Sequence, residues 1–137
     1  MKQYVLDACA LIAFFNDEAG ANKVEAILEQ AANDEVKVYL ASINLFEIYY
    51  NALRSTTPGQ AKNLLADLYN LPLVVVEHID MPLIQLAAYF KTKHRMSVAD
   101  SFALALAKQL DALLISTDHH EFDAVEKAGD VEFFWLR

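Results

Sequence analysis

The sequence contains few of the residues that commonly mark a cofactor or a reaction class. The only cysteine, Cys9, excludes an intrachain disulfide framework and has no CxxC companion for a zinc site. The three glycines are scattered, so neither a phosphate-binding P-loop nor a GxGxxG dinucleotide fingerprint is present. There is no GxSxG elbow, and the pair His119 and His120 lacks the HExxH spacing. Common nucleotide-binding, zinc and serine-hydrolase classes are therefore disfavoured.

Targeting and membrane signals are also missing. No uninterrupted apolar run approaches the roughly 18 residues that a membrane-spanning helix needs. The first residues, MKQYVLD, lack the apolar region of a secretory signal. We therefore expect a cytoplasmic protein with no membrane association.

Charge and composition limit the fold and the mode of binding. The chain has 11 basic and 19 acidic residues and a net charge of −8, which argues against a broad basic surface for nucleic acid. The nearest basic cluster, from Lys91 to Arg95, is typical of a helix end favoured by the helix dipole. With 137 residues, 55% of them hydrophobic, we expect a single domain over residues 1–137.

Short β-rich runs alternate with longer segments of helical period, which is typical of a parallel α/β sheet. The predicted strands are Gln3–Leu6, Val36–Ala41, Leu73–Glu77, Leu113–Ser116 and Val131–Leu136. The predicted helices are Ala8–Phe15, Ala21–Asn33, Asn44–Arg54, Pro58–Asn70, Pro82–His94, Val98–Leu110 and His120–Ala128. We expect a three-layer α/β/α sandwich around a mainly parallel five-stranded sheet.

Four acidic residues lie where predicted strands lead into helices or where helices begin: Asp7, Glu47, Asp100 and Asp118. Each stands in a mostly apolar run, and Asp100 is the only charged residue of SVADSFALALA. An ionised carboxylate in such surroundings needs a partner. Because parallel strands end at one rim of a sheet, where ligands bind, the four acids are compatible with one pocket.

Helix capping is the competing explanation for these acids. The segments Asn44-x-x-Glu47, Ser97-x-x-Asp100 and Asp118-x-x-Glu121 all resemble capping boxes. Capping does not account for Asp7, nor for the apolar runs around the acids. The four together favour a metal cleft over independent caps.

A cluster of carboxylates suits hard divalent cations. Mg²⁺ and Mn²⁺ prefer carboxylate oxygens and keep several waters, so three or four acids can hold one or two ions against a phosphate. Two such ions can activate water and stabilise the leaving oxygen of a phosphodiester. This is the chemistry that we expect of the cluster.

At these residues the chain resembles the PIN-domain nucleases, and among them the VapC-like toxins of toxin–antitoxin pairs. The likeness covers essentially the whole chain and is carried by YVLDACALIAFF, SINLFEIYYNAL, SVADSFALALA and LLISTDHHEF. It implies a Mg²⁺- or Mn²⁺-dependent endoribonuclease. The family acids correspond to Asp7, Glu47, Asp100 and Asp118, with Glu121 as a possible outer metal ligand.

The resemblance carries one departure and several expected partners. The family usually has Ser or Thr two residues after its first aspartate, where this chain has Cys9. Ser116 or Thr117 could supply the polar group beside the last acid, or cap the final helix. RNA as substrate, an antitoxin protein across the cleft and a homodimer are implied as well. Tyr49, Tyr50, Phe133, Phe134 and Trp135 could include interface anchors, although core packing is the favoured role for most of them.

Two other functions fit the same sequence. One is a PIN-like module with a weak metal site that acts as a protein- or RNA-binding scaffold. The other is a small phosphohydrolase or receiver-like protein with one magnesium ion. The phosphohydrolase would want an aspartate in place of Cys9, and the receiver a lysine directly after the fourth strand; neither is present. We expect the nuclease.

Overall fold

The computed structural model describes all residues, Met1–Arg137. Its five strands are β1 (Lys2–Leu6), β2 (Val36–Ala41), β3 (Val74–Val76), β4 (Leu113–Ser116) and β5 (Phe133–Trp135). Its seven helices are α1 (Ala8–Phe15), α2 (Ala21–Ala32), α3 (Ser42–Ser55), α4 (Pro58–Tyr69), α5 (Met81–Lys93), α6 (Val98–Leu110) and α7 (His119–Ala128). Every predicted element exists, although β3 and β5 are shorter than predicted.

The strands form one sheet in the order β3-β2-β1-β4-β5, and all four neighbouring pairs are parallel. The expected α/β/α sandwich is confirmed, and the sheet is wholly rather than mainly parallel. Strand order reverses between β1 and β4, which is the place where open parallel sheets bind ligands. Asp7 follows β1 and Asp118 follows β4, so both acids lie at this reversal.

Two separate hydrophobic cores, one on each face of the sheet, make the three layers. Alternate strand residues point to opposite faces, so Tyr4 and Leu6 join one core and Val5 joins the other. The core that contains Tyr4 and Leu6 packs against α1, α2, α3 and α4, and the core that contains Val5 packs against α5, α6 and α7. The near-continuous apolar strands of the sequence reflect this burial on both faces.

Helix ends in this chain are set by local capping chemistry. Thr57 and Gln60 form a reciprocal capping box at the start of α4, with Pro58 in the first turn. Gly20 precedes α2 with φ +97°, and a Cβ there would meet backbone and side-chain atoms of Leu136 at 2.7–3.1 Å. Glycine is therefore required at this position both by conformation and by space.

The helices give no sign of a membrane span. None of them combines the length and the hydropathy that crossing a bilayer requires.

Candidate metal centre

Asp7 is the most buried of the five candidate acids and is only 2% exposed. It is the N-cap of α1, since its Oδ1 accepts a hydrogen bond from the Ala10 amide at 2.7 Å. The expectation that capping does not account for Asp7 is therefore wrong. The chain passes from β1 into α1 with only this residue between them, so it is the residue placed to cap the helix.

Ser116 ties Asp7 to the end of the neighbouring strand. The register pairs Leu6 with Ile115, which brings the next residues, Asp7 and Ser116, level with each other. The Ser116 hydroxyl donates to Oδ2 of Asp7, and its oxygen accepts from the backbone amide of Asp118 at 2.9 Å. Of the two candidates Ser116 and Thr117, it is Ser116 that lies beside the acids.

Asp118 and Glu121 enter the site from the start of α7. Asp118 is the N-cap of that helix, and its Oδ1 accepts from the Glu121 amide at 3.2 Å. The next residue, His119, stacks on Trp135 of β5 with ring centroids 3.7 Å apart. Its ring also hydrogen-bonds the carboxylate of Asp123 at 2.7 Å. The stack on Trp135 fixes the first turn of α7 against the last strand.

Glu47 and Asp100 lie near the starts of two helices, α3 and α6, that are joined by Asn44. The Asn44 side chain is fully buried, and its Nδ2 donates to the Ala99 carbonyl at 3.1 Å. Its Oδ1 is buried without a hydrogen-bond partner. Asn44 thus links the helix that carries Glu47 to the helix that carries Asp100.

The predicted capping boxes at these two helices differ in outcome. Ser97 is the N-cap of α6 and accepts from the Asp100 amide at 3.1 Å, as a cap at this place requires. The box at Asn44 is wrong, because α3 already begins at Ser42 after Ala41, which makes no side-chain capping bond. The side-chain amide of Asn44 instead donates a hydrogen bond to the neighbouring helix α6.

Burial raises the pKa values of three of the acids, and the charges of neighbouring acids add to each rise. Burial raises the pKa of Asp7 to about 7; the hydrogen bonds from Ser116 and Ala10 oppose the rise, and the charges of Asp100 and Asp118 add to it. Burial also raises the pKa of Glu47, again with contributions from Asp100 and Asp118. The four predicted acids therefore lie close enough to influence one another electrostatically.

Asp100 is perturbed in the same direction. Burial raises its pKa, the polar groups of Ser97 oppose the rise, and the charges of Asp118 and Glu121 add to it. The fifth predicted residue, Glu121, thus belongs to the same cluster.

An open cavity of about 700 Å³ exposes the cluster to solvent. Its acidic lining residues are Glu47, Asp100, Asp118 and Glu121, whereas Asp7 is buried and does not line it. None of the five carboxylates takes part in an ion pair with Lys, Arg or His. The cluster therefore carries negative charge that no cationic side chain of the protein neutralises.

The donor set tests which cation could fit. All five candidate groups are hard carboxylate oxygens, which are the ligands that Mg²⁺ and Mn²⁺ prefer. No three His, Cys, Asp or Glu side chains stand close enough together in this structure to form a ready-made set of metal ligands. The residues fit such a cation by chemistry and by uncompensated charge, with movement of the carboxylates onto the ion.

Cys9 also lines the cavity but does not change this chemistry. Burial raises the pKa of its thiol to about 12, and the charges of Asp7 and Asp118 are the next largest contributions. At neutral pH the sulfur stays protonated, and a protonated thiol is a poor metal ligand. Cys9 therefore resembles the serine or threonine usual at this position in being uncharged at neutral pH.

Comparison with known proteins places the chain in a family. The family model of the PIN domain matches residues 4–128. The chain belongs to the PIN domain family. Among curated proteins, none matches it in sequence.

Solved structures of other PIN-fold proteins superimpose on nearly the whole molecule. A chain of the DNA-bound VapBC complex from Salmonella typhimurium matches at 14% identity and TM-score 0.77, with 100% of both chains covered. A chain of promoter-DNA-bound VapBC2 from Rickettsia felis matches at 15% identity and TM-score 0.73, covering 97% of this chain and 98% of that one. Mycobacterium tuberculosis VapC20, described as a Sarcin-Ricin loop cleaving toxin, matches at 17% identity and TM-score 0.65, covering 92% and 94%. At these identities the likeness concerns the fold.

The aromatic residues considered as interface candidates fall into two groups in the structure. Phe133 and Trp135 pack against one core and Phe134 against the other, so core packing describes β5 better than an interface. Tyr50 is half exposed and lines the acidic cavity. The buried role of Asn44 was missed, because its pattern with Glu47 mimics a capping box.

Proposed function

We propose that this PIN-domain protein is a divalent-metal-dependent endoribonuclease and the toxin of a toxin–antitoxin pair. The observation that carries the proposal is the shared, unneutralised acidic cluster at the strand-order reversal. Such a cluster is unfavourable by itself and becomes favourable with a bound cation. The Mg²⁺ or Mn²⁺ specificity and the RNA substrate belong to this proposal.

The roles that we propose for the five acids follow from their exposure to the cavity. Glu47, Asp100, Asp118 and Glu121 line the cavity and would hold the cation. Asp7, with both oxygens hydrogen-bonded, would close the cation site from the buried side. The bound cation would supply Lewis-acid activation of water and neutralisation of phosphate charge. Phosphodiester hydrolysis then breaks one phosphorus–oxygen bond and adds one water.

Ser116 acts through the acids rather than on the substrate. Its hydroxyl donates to Asp7 and its oxygen receives the Asp118 amide, so both acid-bearing segments are held by one buried side chain. Outer-sphere partners of this kind orient ligands, and their loss commonly weakens metal affinity about 10- to 100-fold. We assign Ser116 the role of a positioning residue.

The proposed partners follow from the family and from the cavity's charge. One solved structure with the same fold is a toxin–antitoxin complex from Klebsiella pneumoniae. A cognate antitoxin that presents Arg or Lys to the cavity would neutralise the carboxylates in place of the cation. A homodimer is also part of the proposal, and sedimentation or mass photometry tests it.

Cleavage of a mixed transfer and ribosomal RNA pool tests the activity. Purified protein with Mn²⁺ should cut, whereas the same protein in EDTA, and the Asp100→Asn variant in Mn²⁺, should not. Cutting that persists in Asp100→Asn would show either contamination or a wrong assignment of that residue.

A scaffold with a weak metal site is the second candidate. The specific observation in its favour is that the carboxylates are not drawn together as a ligand set in this structure. Calorimetric titration with Mn²⁺ separates the two candidates. Uptake of Mn²⁺ together with RNA cleavage supports the nuclease. RNA binding without uptake of Mn²⁺ supports the scaffold.

A further inference from the structure

A row of three exposed side chains runs along α3 beside the acids. Phe46, Tyr50 and Arg54 follow one another at intervals of four residues, which places them on one face of the helix. All three line the same cavity as Glu47 and Asp100. We call Phe46, Tyr50 and Arg54 the α3 strip.

The two aromatic rings of the α3 strip are unusually open to solvent. Phe46 is 65% exposed and Tyr50 is 50% exposed, and their ring centroids lie 6.0 Å apart. Neighbouring exposed rings beside the acidic residues of a cavity are typical of a recognition surface rather than of a core. Their faces are available to a flat, polarisable group.

Arg54 adds a cation that is not committed to any acid. Its guanidinium lies over the Tyr50 ring, 5.5 Å from the centroid. Although it lines a cavity with four carboxylates, it makes no ion pair and no hydrogen bond within the protein. It is also the only Lys or Arg residue that lines the cavity. Its donors are therefore free for an anionic ligand.

We propose that the α3 strip binds a nucleotide of single-stranded RNA that flanks the phosphodiester to be cut. An unpaired base would stack on Tyr50 and Phe46, and a phosphate would pair with Arg54. This inference rests on the proposed nuclease function and adds a substrate-binding subsite with a preference for unpaired RNA.

The charge pattern favours RNA over a protein segment at this strip. A phosphate of RNA would pair with Arg54, whereas an Arg or Lys side chain of a protein partner would be attracted to the carboxylates of the cavity and not to Arg54 itself. Stacked bases suit the exposed rings without any requirement for sequence. Continuity of the strip with the cavity places the bound nucleotide next to the acids.

The chain contains a matched control for the strip on α5. There Lys93 lies over the ring of Tyr89, 5.4 Å from its centroid, and Tyr89 is 48% exposed. In contrast to Arg54, Lys93 is paired with Asp130 at 3.1 Å, and neither residue lines the acidic cavity. Tyr89→Ala and Lys93→Gln therefore remove similar groups without touching the proposed subsite.

The experiment measures binding of a labelled unstructured RNA by anisotropy in Ca²⁺, and kcat and KM in Mn²⁺. Tyr50→Ala should weaken binding about 5- to 150-fold and raise KM more than it lowers kcat, as expected for one base–aromatic stack. Tyr50→Phe should restore binding. Arg54→Gln should reduce the slope of log affinity against log salt by about 0.7. The α5 variants should match wild type.

An abasic oligonucleotide separates stacking from other effects of the substitution. If Tyr50 stacks on a base, RNA with abasic sites placed next to the cleavage position should bind wild type and Tyr50→Ala about equally. Equal losses with intact and abasic RNA would contradict base stacking.

The possible failures are distinguishable. A wild-type protein that neither binds nor cuts RNA overturns both the nuclease and the strip. If the wild-type protein cuts RNA and the variants Tyr50→Ala and Arg54→Gln have the wild-type KM, the nuclease proposal stands and the role of the α3 strip is overturned. The same result with antitoxin inhibition lost in those variants would make the strip a protein-binding surface and also overturn the proposal.

Discussion

The buried carboxylate of Asp7 makes a sharp prediction about stability. In the metal-free protein, burial raises the pKa of Asp7 from 3.8 to about 7. Because the folded state then binds a proton more tightly than the unfolded state, this residue's contribution to stability falls as pH rises from about 4 to 7 and is constant above. Asp7→Asn removes the titrating group, and its amide oxygen can still cap α1.

The size of the effect follows from the shift. A difference of about 3 pKa units corresponds to about 4 kcal/mol across the whole pH window. About 2 kcal/mol of this change in stability falls between pH 5.5 and 8. That pH range lies above the sequence pI of about 4.8. Relative to wild type in EDTA, the free energy of unfolding of Asp7→Asn should therefore rise by about 2 kcal/mol over that range.

Urea unfolding followed by circular dichroism at several pH values measures this difference. Asp80→Asn is the matched control, because Asp80 caps α5 by accepting from the Leu83 amide at 3.0 Å and lies outside the acidic cluster. Parallel pH curves for wild type and Asp7→Asn would refute the buried, high-pKa carboxylate.

Further predictions concern the cation and the packing around the site. Millimolar Mn²⁺ should raise the Tm of wild type by preferential binding to the folded state, and by less in Glu47→Gln; differential scanning fluorimetry measures both. Ser116→Ala should weaken Mn²⁺ binding about 10- to 100-fold by calorimetry, with an unchanged affinity contradicting its positioning role. Gly20→Ala should lower the free energy of unfolding by more than about 1 kcal/mol, because its Cβ would clash with Leu136. Gly59→Ala has open space in α4 and should be neutral or stabilising. Urea unfolding measures both variants.

The acids illustrate how far sequence reasoning extends. Asp100 was visible because a lone charge interrupts an apolar helical run, and Asp7 because it ends an apolar strand. Their convergence could be expected from the shared rim of a parallel sheet, and in the structure they lie within electrostatic range of Glu47, Asp118 and Glu121. Their use as metal ligands stays a prediction.

Capping was the point at which local pattern misled. Asn44-x-x-Glu47 has the spacing of a capping box, yet α3 begins earlier and Asn44 bonds across to Ala99. In the opposite direction, Asp7 has no box pattern yet caps α1. A cap depends on which residue stops being helical, and packing of the helix start against its neighbours decides that.

The sequence by itself determined the strands, the helices and the positions of the acids along the chain. These follow from local periodicity and from chain order, which need no knowledge of distant contacts. Only the tertiary structure decided that Ser116 pairs with Asp7 across 109 residues, that Asp7 is buried deeply enough for its pKa to rise, and that Phe46, Tyr50 and Arg54 remain open to solvent. Burial, desolvation and contact across strands depend on how the whole chain packs, and a one-dimensional pattern does not contain that information.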